Sequence, residues 1–246
     1  MLRALGAAAV QLLLPRHCVC CEAALADHER GLVCGACWAR VPCLPQPQCP
    51  RCGHPRPIRG QCPGCALLPP FVRCARSLCW VPHPASSPVL SALKYDGWPA
   101  VADEIGERLA RLAWPPDVVR ERVALLPVPL AASKLRARGY NQAERLARAV
   151  AARWNLPVWA DVLRRQRATP SQTALTRGER LANVHRAFSC ADSAAAQVVG
   201  KHLILVDDVL TTGATLNACA EALFEAGART LSYLTFGRAR TAADRL

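Results

Sequence analysis

Four Cys-x-x-Cys pairs between residues 18 and 65 limit what this chain can fold into more than any other feature of its sequence. They occur in "CVCC", "CGAC", "CPRC" and "CPGC" and join Cys18 with Cys21, Cys34 with Cys37, Cys49 with Cys52, and Cys62 with Cys65. Two intervening residues let both thiolates of a tight turn grip one tetrahedral zinc ion, and two such turns complete a four-cysteine site. Pairing each turn with its next neighbour sets 18/21 with 34/37 and 49/52 with 62/65, a tandem zinc ribbon with two structural zinc ions. Cys20 is an alternative ligand to Cys18 or Cys21. The competing accounts of the cysteines are disulfides in a secreted chain and sites that have lost their metal.

Twelve of the fourteen cysteines precede residue 80, so composition alone divides the chain. Residues 16–70 are rich in proline and short of long apolar runs, and metal there substitutes for a hydrophobic core. Cys43, Cys74, Cys79, Cys190 and Cys219 lie outside the pairs and are expected to be small apolar residues. Residues 1–15, with one arginine and an apolar run, are expected to form an N-terminal helix. They are too few to span a bilayer, and no small-residue cleavage site precedes Arg16. No membrane span is expected, and the expected location is cytoplasmic, with secretion as the alternative.

Residues 71–246 read as alternating strands and helices. "SLCWV" is expected as a strand and residues 84–97 as a helix stopped by Gly97. Val101, Ile105, Leu109 and Leu112 recur at helical spacing in the next segment. Strand "VALLPVPL" leads through a basic loop, "AASKLRARGY", to a helix over residues 141–154. A strand near "VWADVLRR", strand "HLILV", a helix over 215–227 and strand "TLSYLTF" complete the order, with Gly227 stopping the last helix. Such alternation predicts an α/β domain with a mainly parallel sheet and helices on both faces, preceded by the small cysteine-rich domain. Ligands bind beyond the carboxyl ends of the strands in such folds.

At that position stands "LILVDDVLTTGATL", residues 203–216. Thr211, Thr212, Gly213 and Thr215 supply hydroxyls and backbone amides where the chain turns into a helix, whose N-terminus favours an anion. Asp207 and Asp208 repel phosphate but accept hydrogen bonds from vicinal sugar hydroxyls. Together they describe a ribose 5-phosphate site, with a divalent cation held by the two aspartates as the rival reading. The net charge of +13 also calls for an anionic partner, and every basic side chain except Lys94, Lys134 and Lys201 is an arginine, whose planar fork suits phosphate oxygens.

"ILVDDVLTTGATL" resembles the phosphoribosyl-diphosphate motif of type I phosphoribosyltransferases. "LKYDG", "LLPVPL", "RGYNQAERLA", "QTALTRGERLANVHRAF" and the cysteine-rich front extend the resemblance to the ComF family, which is associated with natural transformation and joins a double zinc ribbon to a phosphoribosyltransferase-like domain. The resemblance implies residues 16–70 as the double ribbon and 71–246 as the transferase-like domain. It implies that Asp207 and Asp208 hold ribose hydroxyls, that Thr211, Thr212, Gly213, Ala214 and Thr215 hold a 5-phosphate, and that Lys134, Arg136, Arg138 and Gly139 form a loop receiving pyrophosphate. It further implies a mobile loop carrying Arg164, Arg165, Arg167, Gln172, Arg177 and Arg180, which closes over Mg²⁺-bound phosphoribosyl diphosphate. Competence proteins and single-stranded DNA are the implied macromolecular partners.

Thr211 stands where purine-salvage enzymes of this type often carry an acid, and residues 164–186 contain no lysine to serve as proton donor. His185 is the histidine nearest that role. Two functions therefore stand side by side: a phosphoribosyltransferase of nucleotide metabolism or DNA uptake, and a non-catalytic adaptor that binds single-stranded DNA or protein.

Overall fold

The computed structural model describes residues 16–26, 29, 31–55, 62–95, 97–166 and 187–240. The helix expected over residues 1–15 lies outside them. In chain order the elements are α1 (Gly35–Arg40), a 3-10 turn (Pro63–Leu67), β1 (Val72–Val81), α2 (Ser86–Lys94), α3 (Val101–Ala110), α4 (Pro116–Glu121) and β2 (Arg122–Pro127). There follow α5 (Ala132–Arg138), α6 (Gln142–Trp154), β3 (Leu163–Arg165), β4 (Phe188–Cys190), a second 3-10 turn (Asp192–Ala194), α7 (Ala195–Val198), β5 (His202–Leu210), α8 (Ala214–Glu225) and β6 (Thr230–Ala239).

Successive side chains of a strand point to opposite faces, so an apolar run buried on both sides needs a layer on each. Strands β1, β6, β5 and β2, in that order, form a parallel sheet that meets this demand. Leu203 and Leu205 of β5 pack with α8 and the β3–β4 pair on one face, while Ile204 and Val206 pack with α2, α3 and α6 on the other. The α/β class and the helices on both faces are as the alternation predicts.

The cysteine-rich region is built into this sheet. Cys18, Val33, Cys34 and Val41 belong to one core and Cys49, Cys52 and Leu68 to the other, so the two ribbons lie on opposite faces. Between them the chain crosses the edge of β1. There Leu44 N donates to Leu78 O at 3.0 Å and Trp80 N to Pro42 O at 3.0 Å, covering an edge that would otherwise expose unpaired amides. Glu104 of α3 anchors the first ribbon, accepting Leu32 N at 2.5 Å and Trp38 Nε1 at 2.8 Å. On the far edge, residues 157–159 flank Leu125 of β2 in the same manner.

Several local expectations change. β1 begins at Val72 rather than Ser77, because its arginines are paired: Arg73 binds Asp117 through two hydrogen bonds, and buried Arg76 donates to the carbonyls of Pro50, Ala75 and Ala113. The basic segment after β2 is a short helix, α5, not a loop. Near "VWADVLRR" Val158 makes only a bridge, and the strand proper is Leu163–Arg165, antiparallel to β4. Cys74, Cys79 and Cys219 are buried as small apolar residues, whereas Cys43 is exposed on the edge-crossing segment. Among the described residues no helix is long and apolar enough to cross a membrane.

Candidate functional site

β5 runs on past the end of β2, whose pairing stops at Pro127 opposite Val206. Asp207 and Asp208 therefore occupy the strand's overhang, at the carboxyl edge of the sheet, and project to its two sides. Asp208 is buried, with Lys94 Nζ 2.5 Å and Gln142 Nε2 3.4 Å from its Oδ2. Asp207 accepts the backbone N–H of Asp208 at 2.8 Å. Burial, and then the negative neighbour Asp208, push the Asp207 carboxyl well above the usual carboxylate range. Both acids open into one cleft of about 180 Å³ whose other walls include Thr215, Lys94, Lys134, Arg138 and Arg165.

The segment after β5 is open to solvent at Thr211, Thr212 and Thr215. Gly213 sits between them with φ +81°, the left-handed conformation in which glycine alone is unstrained, and α8 starts at the next residue. Of the residues assigned to the 5-phosphate, Thr215 lines the cleft with the carboxylates, while Thr211, Thr212, Gly213 and Ala214 do not, and Ala214 N donates to Thr212 Oγ1 at 3.4 Å. Of the residues assigned to pyrophosphate, Lys134 and Arg138 line the cleft, while Arg136, exposed on α5, and Gly139 do not. Of the loop residues, Arg165 lines the cleft and Arg164 is exposed on β3. Arg167, Gln172, Arg177, Arg180 and His185 lie outside the described residues.

A second hollow of about 420 Å³ adjoins the first and shares Lys94, Tyr95, Lys134 and Arg138 with it. The Arg138 guanidinium lies 5.1 Å from the centre of the Tyr95 ring and also bonds Gln142 Oε1. Tyr140 donates its hydroxyl to Leu93 O at 2.5 Å, tying the start of α6 to the end of α2. Reading residues singly missed Lys94, Tyr95, Tyr140 and Gln142. "LKYDG" and "RGYNQ" were visible as motifs, but nothing in their spacing says that α2 and α6 converge on β5.

The cysteines form two tetrads, Cys18, Cys21, Cys34, Cys37 and Cys49, Cys52, Cys62, Cys65, each with its sulfurs within 4.8 Å of one another. Tetrahedral zinc with Zn–S of about 2.3 Å sets its sulfurs about 3.8 Å apart. Cys21 and Cys34 are 3.8 Å apart, Cys49 and Cys65 3.5 Å, and Cys52 and Cys62 3.3 Å, so both tetrads fit the ion. Backbone amides also suit thiolates: Cys34 N donates to Cys18 Sγ at 3.2 Å and Cys20 N at 3.4 Å. Burial alone would raise the Cys18 thiol, yet such N–H donors outweigh it and bring it down to about 7. Cys20 is not in a tetrad, and burial and the neighbouring Cys18 push its thiol up to about 12.

The double zinc ribbon domain family matches residues 9–66, and the phosphoribosyl transferase domain family matches residues 136–243. The DNA utilization protein YhgH of Salmonella typhi is 32% identical over 232 residues, covering 89% of this chain and 96% of that protein. The chain belongs to the ComF family. The competence protein ComFC of Bacillus subtilis (strain 168) is a more distant ComF relative, 26% identical over 204 residues and 79% of each chain. Among solved structures, the glutamine phosphoribosylpyrophosphate (PRPP) amidotransferase of B. subtilis covers 55% of this ComF chain and 26% of its own, at 21% identity and a TM-score of 0.38.

Proposed function

We propose that the cleft binds Mg²⁺-phosphoribosyl diphosphate or a related ribose 5-phosphate ligand. The observation that carries this reading is the meeting, in one cleft, of two carboxylates on the overhang of β5 with the first turn of α8 and with Lys134 and Arg138. Asp207 and Asp208 would accept the 2- and 3-hydroxyls, Thr211–Thr215 the 5-phosphate, and Lys134, Arg136, Arg138 and Gly139 the diphosphate with its magnesium. In transfer, a nitrogen nucleophile forms its bond to C1 as the C1–oxygen bond breaks and pyrophosphate departs with that electron pair.

Incubating the purified protein with Mg²⁺, phosphoribosyl diphosphate and a pool of nucleobases, and following pyrophosphate, tests the transferase reading. Release that depends on an acceptor supports transfer; binding without release leaves a ligand-binding protein; neither binding nor release contradicts the reading. The names of the relatives, DNA utilization and competence, support a setting in DNA uptake or use, and the location we propose for it is the cytoplasm.

A second reading is favoured by one surface. Tyr95, 74% exposed, stands beside Lys134 and Arg138 at the cleft mouth. Aromatic faces among cations suit stacked bases and a phosphate backbone. A DNA-binding adaptor built on this surface, with single-stranded DNA and competence proteins as partners, predicts affinity for single strands that falls steeply with salt and drops when Tyr95 becomes alanine.

A further inference from the structure

The second zinc ribbon reaches the phosphate loop. Leu67 ends the 3-10 turn that carries Cys65, and its carbonyl oxygen accepts Asn217 Nδ2 at 2.9 Å, a bond between residues 150 apart in sequence. Asn217 lies in the first turn of α8, where its backbone N–H donates to Gly213 O at 2.7 Å. Its Oδ1 accepts the hydroxyl of Tyr233, from buried β6, at 2.9 Å. A carbonyl can only accept, so Leu67 dictates which way the Asn217 amide faces, and Tyr233 completes it from the other side. Gly213 presses on the same point: a Cβ there would lie 3.3 Å from Leu67 O and 3.4 Å from Asn217 Nδ2.

The turn that presents Leu67 is itself held firmly. Arg51, between Cys49 and Cys52, donates through Nη2 to Leu68 O at 3.1 Å and Pro69 O at 2.8 Å. Arg238 is buried and donates to Cys52 O at 2.6 Å. The position of the loop's αL glycine thus follows from a carbonyl two residues beyond the last zinc ligand. The first ribbon lies on the opposite face, where Trp38 and Glu104 hold it against α3.

We propose that Asn217 is a positioning residue for the phosphate loop and that through it the second zinc ribbon sets the affinity of the site for a 5-phosphate. The proposal rests on the ribose 5-phosphate reading of residues 211–215. A phosphate bound by backbone amides needs them convergent before it arrives, and a loop free to drift loses that convergence.

The test titrates ribose 5-phosphate into the full chain and into Asn217→Ala, Tyr233→Phe and Trp38→Phe. Asn217→Ala and Tyr233→Phe should each bind about three- to tenfold more weakly, the worth of one neutral hydrogen bond, with zinc content retained. Their preference for ribose 5-phosphate over 2-deoxyribose 5-phosphate should match the parent's, because the carboxylates are untouched. Amide exchange at residues 212–217 should quicken. Trp38→Phe, which loosens only the first ribbon's anchor, should bind as the parent does. Cys65→Ser should weaken binding in the parent but add nothing in the Asn217→Ala background, whereas additive losses would overturn the zinc link. Parent-like affinity in both Asn217→Ala and Tyr233→Phe overturns the positioning role. Should Asn217→Ala fail to fold, the near-isosteric Tyr233→Phe decides alone. If the parent itself does not bind, the ribose 5-phosphate reading fails and takes this proposal with it, an outcome distinct from the others.

Discussion

Lys94 Nζ lies 2.5 Å from Asp208 Oδ2, joining the last residue of α2 to the overhang of β5 in a pair whose side chains are only 20% and 9% exposed. At Asp207, the residue before it, burial and the charge of Asp208 outweigh the pull of Lys94. Two adjacent carboxylates of one motif therefore contribute to stability with opposite sign.

Asp208→Asn should destabilise the protein by about 2 kcal/mol, because removing one member of a largely buried pair strands the other. Urea unfolding measures this. An unchanged midpoint would mean that Lys94 is fully hydrated and the pair contributes nothing.

Asp207→Asn should do the reverse. The raised carboxyl means that charge on Asp207 opposes folding, so its contribution is most favourable below the unfolded value of about 4 and is lost as pH rises through the folded one. At neutral pH the variant should be more stable by about 1 kcal/mol while binding ligand poorly, as expected where function has been kept at the expense of stability. The stability gap between variant and parent should widen as pH rises from about 4. A gap that narrows instead would refute this account of Asp207.

His202 supplies a second pH dependence. It is buried at the start of β5 with Nε2 2.9 Å from Ser232 Oγ, and burial holds its imidazole below the ordinary value despite Glu121 nearby. Its folded value is depressed, so its contribution is complete above about 6.5 and is lost as pH falls from there. Thermal melts of the parent should decline below that pH, and His202→Gln should flatten the decline.

Strong chelation should lower the stability of the whole chain, since Cys49 and Cys52 share a core with β5 and α8 and Cys18 and Cys34 share the other with α3 and α6. Metal analysis of native protein should find about two zinc ions per chain. Less than about one, with oxidised cysteines, would contradict both ribbons.

Much of this was legible in the sequence because the signals were local. Two-residue spacing pairs cysteines, strict apolar runs mark β2 and β5, and a Thr-Gly turn after an acid pair marks the entry into α8. Relations between distant segments were not legible. The strand was expected only from Ser77, and its extension back through Arg73 and Arg76 goes with distant partners, Asp117 and the carbonyls of Pro50 and Ala113. The contact of Gln142 with Asp208 and the bond from Asn217 to Leu67 join residues 66 and 150 apart, and the spread of the two ribbons over opposite faces and the reach of Lys94 to Asp208 depend on packing of the same kind. Composition also misjudged Cys43, which is exposed because the segment that carries it lies over a sheet edge and not within a core.

Calorimetric titration of Mg²⁺-phosphoribosyl diphosphate into the parent and into the Asp207→Asn, Asp208→Asn double variant tests the central claim most directly. Asparagine keeps the size but weakens the charge-assisted bonds and places donors where acceptors are needed, so affinity should fall about ten- to a hundredfold while zinc content and fold persist. Equal affinity in parent and double variant would contradict the assignment of these carboxylates to ribose hydroxyls.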